Sequence, residues 1–164
     1  CKVPTNHILG EENEGFIYAM QGLDGGRLNI AAAALGGAQS ALYKAKQYMK
    51  ERTAFGKKLS DLQGLQFKIA DMEIAINSSR TFLREAAWKL DSGKSDSSVA
   101  CAMAKKFVTD NAFTVANESL QLLGGYGYLT DYGIEKIVRD LRVHQILEGT
   151  NEIMQVIIAR HFLK

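Results

Sequence analysis

The sequence predicts an all-α fold, an up-down four-helix bundle of longer helices with two additional short ones. Apolar residues recur at three- and four-residue steps over long stretches, the period of one buried helix face. The only proline among 164 residues is Pro4, so nothing beyond it brings the missing donor and ring clash that interrupt a helix. The breaks between stripes are short and rich in glycine or polar residues, which favours antiparallel neighbours. A hydrophobic share of 46% and a charged share of 23% suit an ordinary globular chain, and the length allows one domain with a real core.

In chain order, Cys1–Asn13 holds Pro4, Asn6 and Gly10 and reads as extended chain and turn. Gly15–Leu23 is a short apolar helix. The run Gly22-Leu23-Asp24-Gly25-Gly26 is expected to break it before a long helix from about Arg27 to Arg52. Ala31–Ala34, Gly36, Gly37, Ala38 and Ala41 make one flank of that helix small, which lets a neighbouring helix come close. Ser60-Asp61 is expected to cap a helix reaching Leu90, with Leu62, Leu65, Ile69, Met72, Ile76, Leu83, Ala87 and Leu90 on its apolar stripe. Asp91-Ser92-Gly93 stops it. Ser95 or Asp96 starts the next, through Val99, Met103, Phe107, Val115 and Leu122 to Gly124-Gly125. Tyr126, Tyr128 and Tyr132 fall in a loop. A fifth helix covers about 133–143, and a last one Glu152–Phe162, with Thr150 or Asn151 as its N-cap.

Composition excludes several roles. Twenty basic and eighteen acidic residues leave +2, too mild for a nucleic-acid surface. Cys1 and Cys101 have no metal-ligand spacing and form no disulfide framework; they point weakly to a reducing compartment. No apolar run reaches membrane-spanning length, and no signal or transit segment is visible. His7 is a lone histidine in the leading segment and is expected to face solvent. The chain starts at Cys1 without an initiator methionine, so it is expected to be a piece of a longer protein.

The stretch from Gln121 to Glu152 concentrates the chemistry. Glu148 lies between apolar Ile146-Leu147 and Gly149, a setting that invites desolvation and a pKa raised toward general-base use. Gly149 permits close approach of a ligand, and Thr150 and Asn151 add short hydrogen-bonding groups. The same residues also serve simply to end one helix and cap the next, and spacing alone favours that plainer role. Farther back, Arg52, Phe55 and Gly56 offer a fork of donors, a stacking face and a turn. They suit a diphosphate and ring, and equally a helix C-terminus with a favourable cation and a glycine stop.

A longer pattern adds to this. Gln121, Gly124-Gly125, Gly127-Tyr128, Asp131, Lys136, Arg139-Asp140 and Glu148-Gly149-Thr150 together resemble the C-terminal signature of the acyl-CoA dehydrogenase family. The likeness extends over essentially the whole chain, toward the short and branched-chain members, the isobutyryl-CoA dehydrogenase group in particular. It implies that residues 1–13 are the remnant of a middle β domain or linker and 14–164 the C-terminal helical bundle domain.

The resemblance also implies roles. Glu148 matches the family's catalytic base. Some relatives carry the base near the position of Gly26, which has no side chain to act with here. Arg27, Asp24 and Gly149 match positions near the substrate. Arg52, Phe55, Gln63, Gln121, Gly124 and Gly125 match residues meeting the FAD of a neighbouring subunit, and Thr150 and Glu152 touch the subunit's own FAD. The family often has Gln where this chain has Glu152, which makes that position the least secure. The implied reaction is α,β-dehydrogenation of a short, branched acyl-CoA, with electron transfer flavoprotein as acceptor and a homotetramer or homodimer as the assembly. Neither nucleic acid nor membrane insertion is implied, and the setting is the mitochondrial matrix or the bacterial cytoplasm. Much of the flavin site belongs to the β domain, so the isolated chain is expected to be inactive. Two alternatives stand beside this: an acyl-CoA oxidase of the same fold, and a helical oligomerisation module without catalysis. A carboxylate-bridged di-iron bundle requires Glu-x-x-His pairs, and neither His144 nor His161 has Glu three residues before it.

Overall fold

The computed structural model describes all 164 residues, Cys1–Lys164. Five α-helices carry the fold: α1 (Gly15–Glu51), α2 (Gln63–Asp91), α3 (Ser97–Leu123), α4 (Ile134–His144) and α5 (Asn151–Phe162). Residues before α1 are exposed and hold one 3-10 turn, Thr5–His7.

α3 is the central element. It packs most extensively on α1, then on α2, and it also receives α4 and α5, while α4 closes against α1. The small flank of α1 explains the main contact. Ala31, Ala34, Ala38, Ala41 and Ala45 are all at most 1% exposed; without longer side chains there, α3 can approach closely. Gly37 serves α4 in the same way, since a Cβ there would lie 3.0 Å from Leu141. Ala32, Ala33 and Gly36 face outward and take no part in this packing. Leu35, Leu42, Met49, Met72, Ile76, Val108, Val115 and Leu122 fill the space between helices, and a fully buried side chain of such size stabilises by about 1.5–3 kcal/mol.

Three expectations are corrected. First, Gly22–Gly26 does not break the helix. α1 runs unbroken for 37 residues, because extending a formed helix adds a hydrogen bond for each residue fixed while each glycine costs only about 1 kcal/mol. Hence there are three long helices and two short ones, with α4 and α5 completing the bundle. Second, Ser60-Asp61 does not cap α2: Leu59–Asp61 is a 3-10 turn, and the N-cap position is Leu62 without a side-chain cap. Third, Phe107 is 39% exposed, whereas Lys105 and Val108 are 0% exposed. The buried stripe of α3 is therefore rotated from the expected one and includes a lysine.

Arg52–Asp61 is more than a helix end. Thr53–Ala54 (β1) and Lys57–Lys58 (β2) pair antiparallel, with Phe55 and Gly56 both left-handed at φ 52° and 75°. That is the two-residue hairpin turn whose twist matches the flanking strands. No helix is long and apolar enough to cross a membrane.

Candidate active site

Glu148 lies in the loop between α4 and α5. Its φ is 58° and that of Gly149 is 85°. Left-handed backbone is routine for glycine but uncommon for glutamate, and it persists only where the surroundings impose it. The loop is tied to α3. Lys105 Nζ donates to the carbonyl of Gly149 at 2.9 Å, to Asn151 Oδ1 at 2.7 Å and to the carbonyl of Gln145 at 3.3 Å. One turn on, Asp110 Oδ1 accepts from Gln145 Nε2 and Asn151 Nδ2, each at 2.7 Å, and Asn151 Nδ2 also reaches Thr109 Oγ1 at 3.1 Å. The Asn151 N–H closes the loop on Gln145 O at 3.0 Å. Thr150 is the N-cap of α5, its Oγ1 accepting from Ile153 N.

Burial pushes the Lys105 amine down to about 8, against the opposing pull of Asp110, Glu152 and Glu148 and with some help from Arg27. Burial works to raise the Asp110 carboxyl, but Lys106, Gln145 and Asn151 together hold it below its usual range. The Glu152 carboxyl is lowered by the backbone N–H it accepts from and by Thr150.

The Glu148 side chain folds back over α1. A Cβ built on Gly26 would lie 2.9 Å from Glu148 Cδ and closer still to Oε2. Side-chain space at residue 26 is thus occupied by the Glu148 carboxylate. Glu148 as a residue is half-buried, so this chain's own residues shield it in part. The next residue, Arg27, is 7% exposed and donates to Asp24 Oδ1 at 2.6 Å, an atom that also accepts from Ser98 Oγ of α3 at 3.0 Å. Arg27 Nε is buried without a partner, an orphan donor at the same end of α3.

A second region gathers several cofactor candidates. Arg52, Gln121, Gly124 and Gly125 line a cleft of about 610 Å³ together with Tyr48, Leu59, Leu65, Lys68 and Tyr126. The Arg52 guanidinium lies 5.5 Å from the Tyr126 ring centroid. Gly124, at φ 59°, ends α3, and a Cβ on Gly124 or Gly125 would meet nothing within 4 Å. Open backbone, a guanidinium, an amide and aromatic faces suit an anionic group carrying a planar ring. Phe55, 95% exposed, and Gln63, exposed at the first turn of α2, flank the region at the hairpin side without lining the cleft.

Thr150 and Glu152 lie elsewhere. They line a smaller hollow of about 210 Å³ with Lys106, Asp110, Arg142 and Gln145. Asp110 and Gln121 are eleven residues apart on α3, about 16 Å along its axis. The cofactor candidates therefore form two groups at separate levels of one helix. The Asp24, Arg27 and Glu148 group is near the start of α3.

Sequence reasoning missed Lys105, Thr109 and Asp110, which hold the Glu148 loop. One signal was legible: a lysine at the i+4 position from Cys101 and three before Val108, on an otherwise apolar register. It also missed Tyr48 and Lys68 in the larger cleft, whose contributions depend on neighbouring helices.

Residues 13–163 match the family described as acyl-CoA dehydrogenase, C-terminal domain. The chain is 47% identical, over all of its 164 residues, to the mitochondrial isobutyryl-CoA dehydrogenase of Bos taurus, of which it spans 39%. It is 48% identical to that of Dictyostelium discoideum, again spanning 39%. Butyryl-CoA dehydrogenase of Megasphaera elsdenii superimposes with a TM-score of 0.95 at 42% identity, covering 99% of this chain and 42% of that one. The chain thus spans about two-fifths of the length of the relatives it matches. It belongs to the acyl-CoA dehydrogenase family, as that family's C-terminal helical domain.

Proposed function

We propose that this chain supplies the catalytic base and part of the flavin site of an enzyme that dehydrogenates a short, branched acyl-CoA. The observation that carries this reading is Glu148, a carboxylate on left-handed backbone, bound through its loop to α3 and folded over Gly26 of α1. A positioned general base is worth about 10²–10⁴ in rate, and a strained residue in a hydrogen-bonded loop is how such a position is kept.

In this reading the Glu148 carboxylate takes the proton from the substrate α carbon as the α–β double bond forms. Arg27, Asp24 and Gly149 lie on the substrate side. Arg52, Phe55, Gln63, Gln121, Gly124 and Gly125 hold the FAD of a neighbouring subunit, and Thr150 and Glu152 meet the subunit's own. FAD, when bound, supplies the acceptor for the hydride leaving the β carbon. The two groups of cofactor residues, gathered at separate levels along α3, support contributions to two flavins, hence a homodimer or homotetramer. Glu152 is exposed at the N-terminus of α5 and its carboxyl is held below its usual range; it stays charged at neutral pH, so its role is at a neutral or donor part of the cofactor. Electron transfer flavoprotein is the electron acceptor. Residues 1–13 lead out of the middle β domain, and the compartment is the mitochondrial matrix or the bacterial cytoplasm.

The test is turnover of the complete enzyme with isobutyryl-, 2-methylbutyryl- and butyryl-CoA and an artificial electron acceptor. Preference for the branched substrates and loss of at least 10²-fold in Glu148→Gln are expected. Unchanged dehydrogenation by Glu148→Gln refutes the reading, and fast reoxidation by oxygen replaces it with an oxidase.

A further inference from the structure

Lys105 is a charged side chain with 0% exposure. Desolvation makes that a costly place for an ammonium unless every N–H is used. All three are used, and all three acceptors, Gln145 O, Gly149 O and Asn151 Oδ1, belong to the loop that carries Glu148. They bracket Glu148 on both sides.

Other ties to α3 hold only the ends of this loop: Asp110 and Thr109 grip Gln145 and Asn151. The bond from Lys105 to the Gly149 carbonyl is the one hydrogen bond made by the backbone of either Glu148 or Gly149. Those are the two consecutive left-handed residues of the loop. Thr109 and Asp110 alone would leave that pair free to relax toward ordinary backbone, carrying the carboxylate off Gly26.

We propose that Lys105 is a positioning residue, whose ammonium holds Glu148 and Gly149 in left-handed backbone and thereby keeps the Glu148 carboxylate over Gly26. The inference rests on Glu148 being the base. The charged and titratable groups around Lys105 are Asp110 on α3 itself, Arg27 of α1, Glu148 of the loop, Glu152 of α5 and His144 of α4. Burial brings the amine down to about 8, so the third donor is present at neutral pH and leaves in mild alkali. A neutral amine has two N–H groups for three acceptors.

The experiment uses the complete enzyme with Lys105→Met, Lys105→Gln and Glu148→Gln. In Lys105→Met, helical circular dichroism is expected to persist while exchange of the Asn151 amide, whose bond to Gln145 O closes the loop, accelerates at least tenfold. Its kcat is expected to fall at least tenfold with KM changed less than twofold, and Lys105→Gln, which keeps a donor, to recover part of the loss. The wild-type kcat is expected to decline above about pH 8 as the third donor leaves, and that decline is expected to be absent in Lys105→Met. Should Lys105→Met not fold, Asn151→Ala, which removes one acceptor, is read in the same way. Native exchange rates and native kcat in either folded variant overturn the positioning role. If Glu148→Gln also keeps full turnover, the assignment of the base has failed instead; if it loses turnover while the Lys105 variants do not, only the positioning role has.

Discussion

The Glu148 carboxylate lies in the volume that a side chain on Gly26 would fill, although 122 residues separate the two in sequence. A Cβ on Gly26 would come within 2.9 Å of Glu148 Cδ. Two elements, the loop before α5 and the twelfth residue of α1, thus address one point in space. The absence of a side chain at residue 26 is what lets the loop carboxylate occupy it.

Gly26→Ala is therefore expected to separate stability from activity. Alanine is better than glycine in a helix interior by about 1 kcal/mol, worth roughly 2–4 °C in Tm for a chain of this size. The new methyl nevertheless displaces the carboxylate, and kcat/KM of the complete enzyme should fall at least tenfold. A thermal melt and a turnover assay on one preparation check both. Conversely, Gly26→Glu combined with Glu148→Gly should regain part of the activity lost in Glu148→Gly, because the second carboxylate enters from the other side of the same point. No regain with an intact fold would show that direction of approach matters as much as place.

Phe55 presents a second conflict between local and overall preference. It is left-handed, at φ 52°, and 95% exposed, so in this chain it neither packs nor relaxes. Asn-Gly is the favoured pair for such a turn. Phe55→Asn should raise the unfolding free energy of the chain by about 1 kcal/mol, since left-handed backbone costs an ordinary residue roughly 1–2 kcal/mol. In the complete enzyme the same change should weaken FAD retention, measured by flavin absorbance after dialysis. Retention equal to wild type would mean the ring has no part in holding the cofactor.

Helix stripes at Met72, Ile76, Val99, Val115 and Leu122 were legible because burial imposes a simple period. The glycines at 22, 25 and 26 misled, because a local cost of about 1 kcal/mol each does not decide against a helix that long. The pairing of Arg52, Gln121, Gly124 and Gly125 in one cleft followed from resemblance rather than from pattern, as did the choice of Glu148. Contact between Lys105 and the loop at 145–151 was out of reach: no period links residues that far apart, and a lysine is by default a surface residue. Its place on an apolar register was the sole trace.

Cys101 should be chemically silent. It is 0% exposed, and burial, reinforced by the Asp24 carboxylate and opposed by Arg27, pushes its thiol up to about 11. Thiolate is the reactive form. Titration of the native chain at pH 8 with a disulfide reagent should detect one thiol, the exposed Cys1, and titration in denaturant two. Two fast-reacting thiols in the native chain would mean that the Asp24 end of α1 opens readily from α3.

The Lys105 amine sets a pH dependence of stability whose sign is the reverse of that for a lysine raised by an ion-pair partner. Its folded-state value, about 8, lies below the unfolded value near 10.5. Between these limits the unfolded chain binds the proton more often than the folded one, so stability from this residue rises with pH. Below about pH 8 both states are charged and the contribution is flat. Across the whole window the gain approaches about 3 kcal/mol. Urea melts of wild type and Lys105→Met at pH 7, 8, 9 and 9.5 isolate this part, because the difference cancels groups common to both. The Tyr48 hydroxyl, which burial raises instead, acts in the opposite direction at higher pH and cancels in the same subtraction. A wild-type minus variant difference that stays level from pH 7 to 9.5 would place the Lys105 amine at its ordinary value. In that case the ammonium would be retained in the core up to about pH 9.5, and any fall in kcat above pH 8 would have another origin.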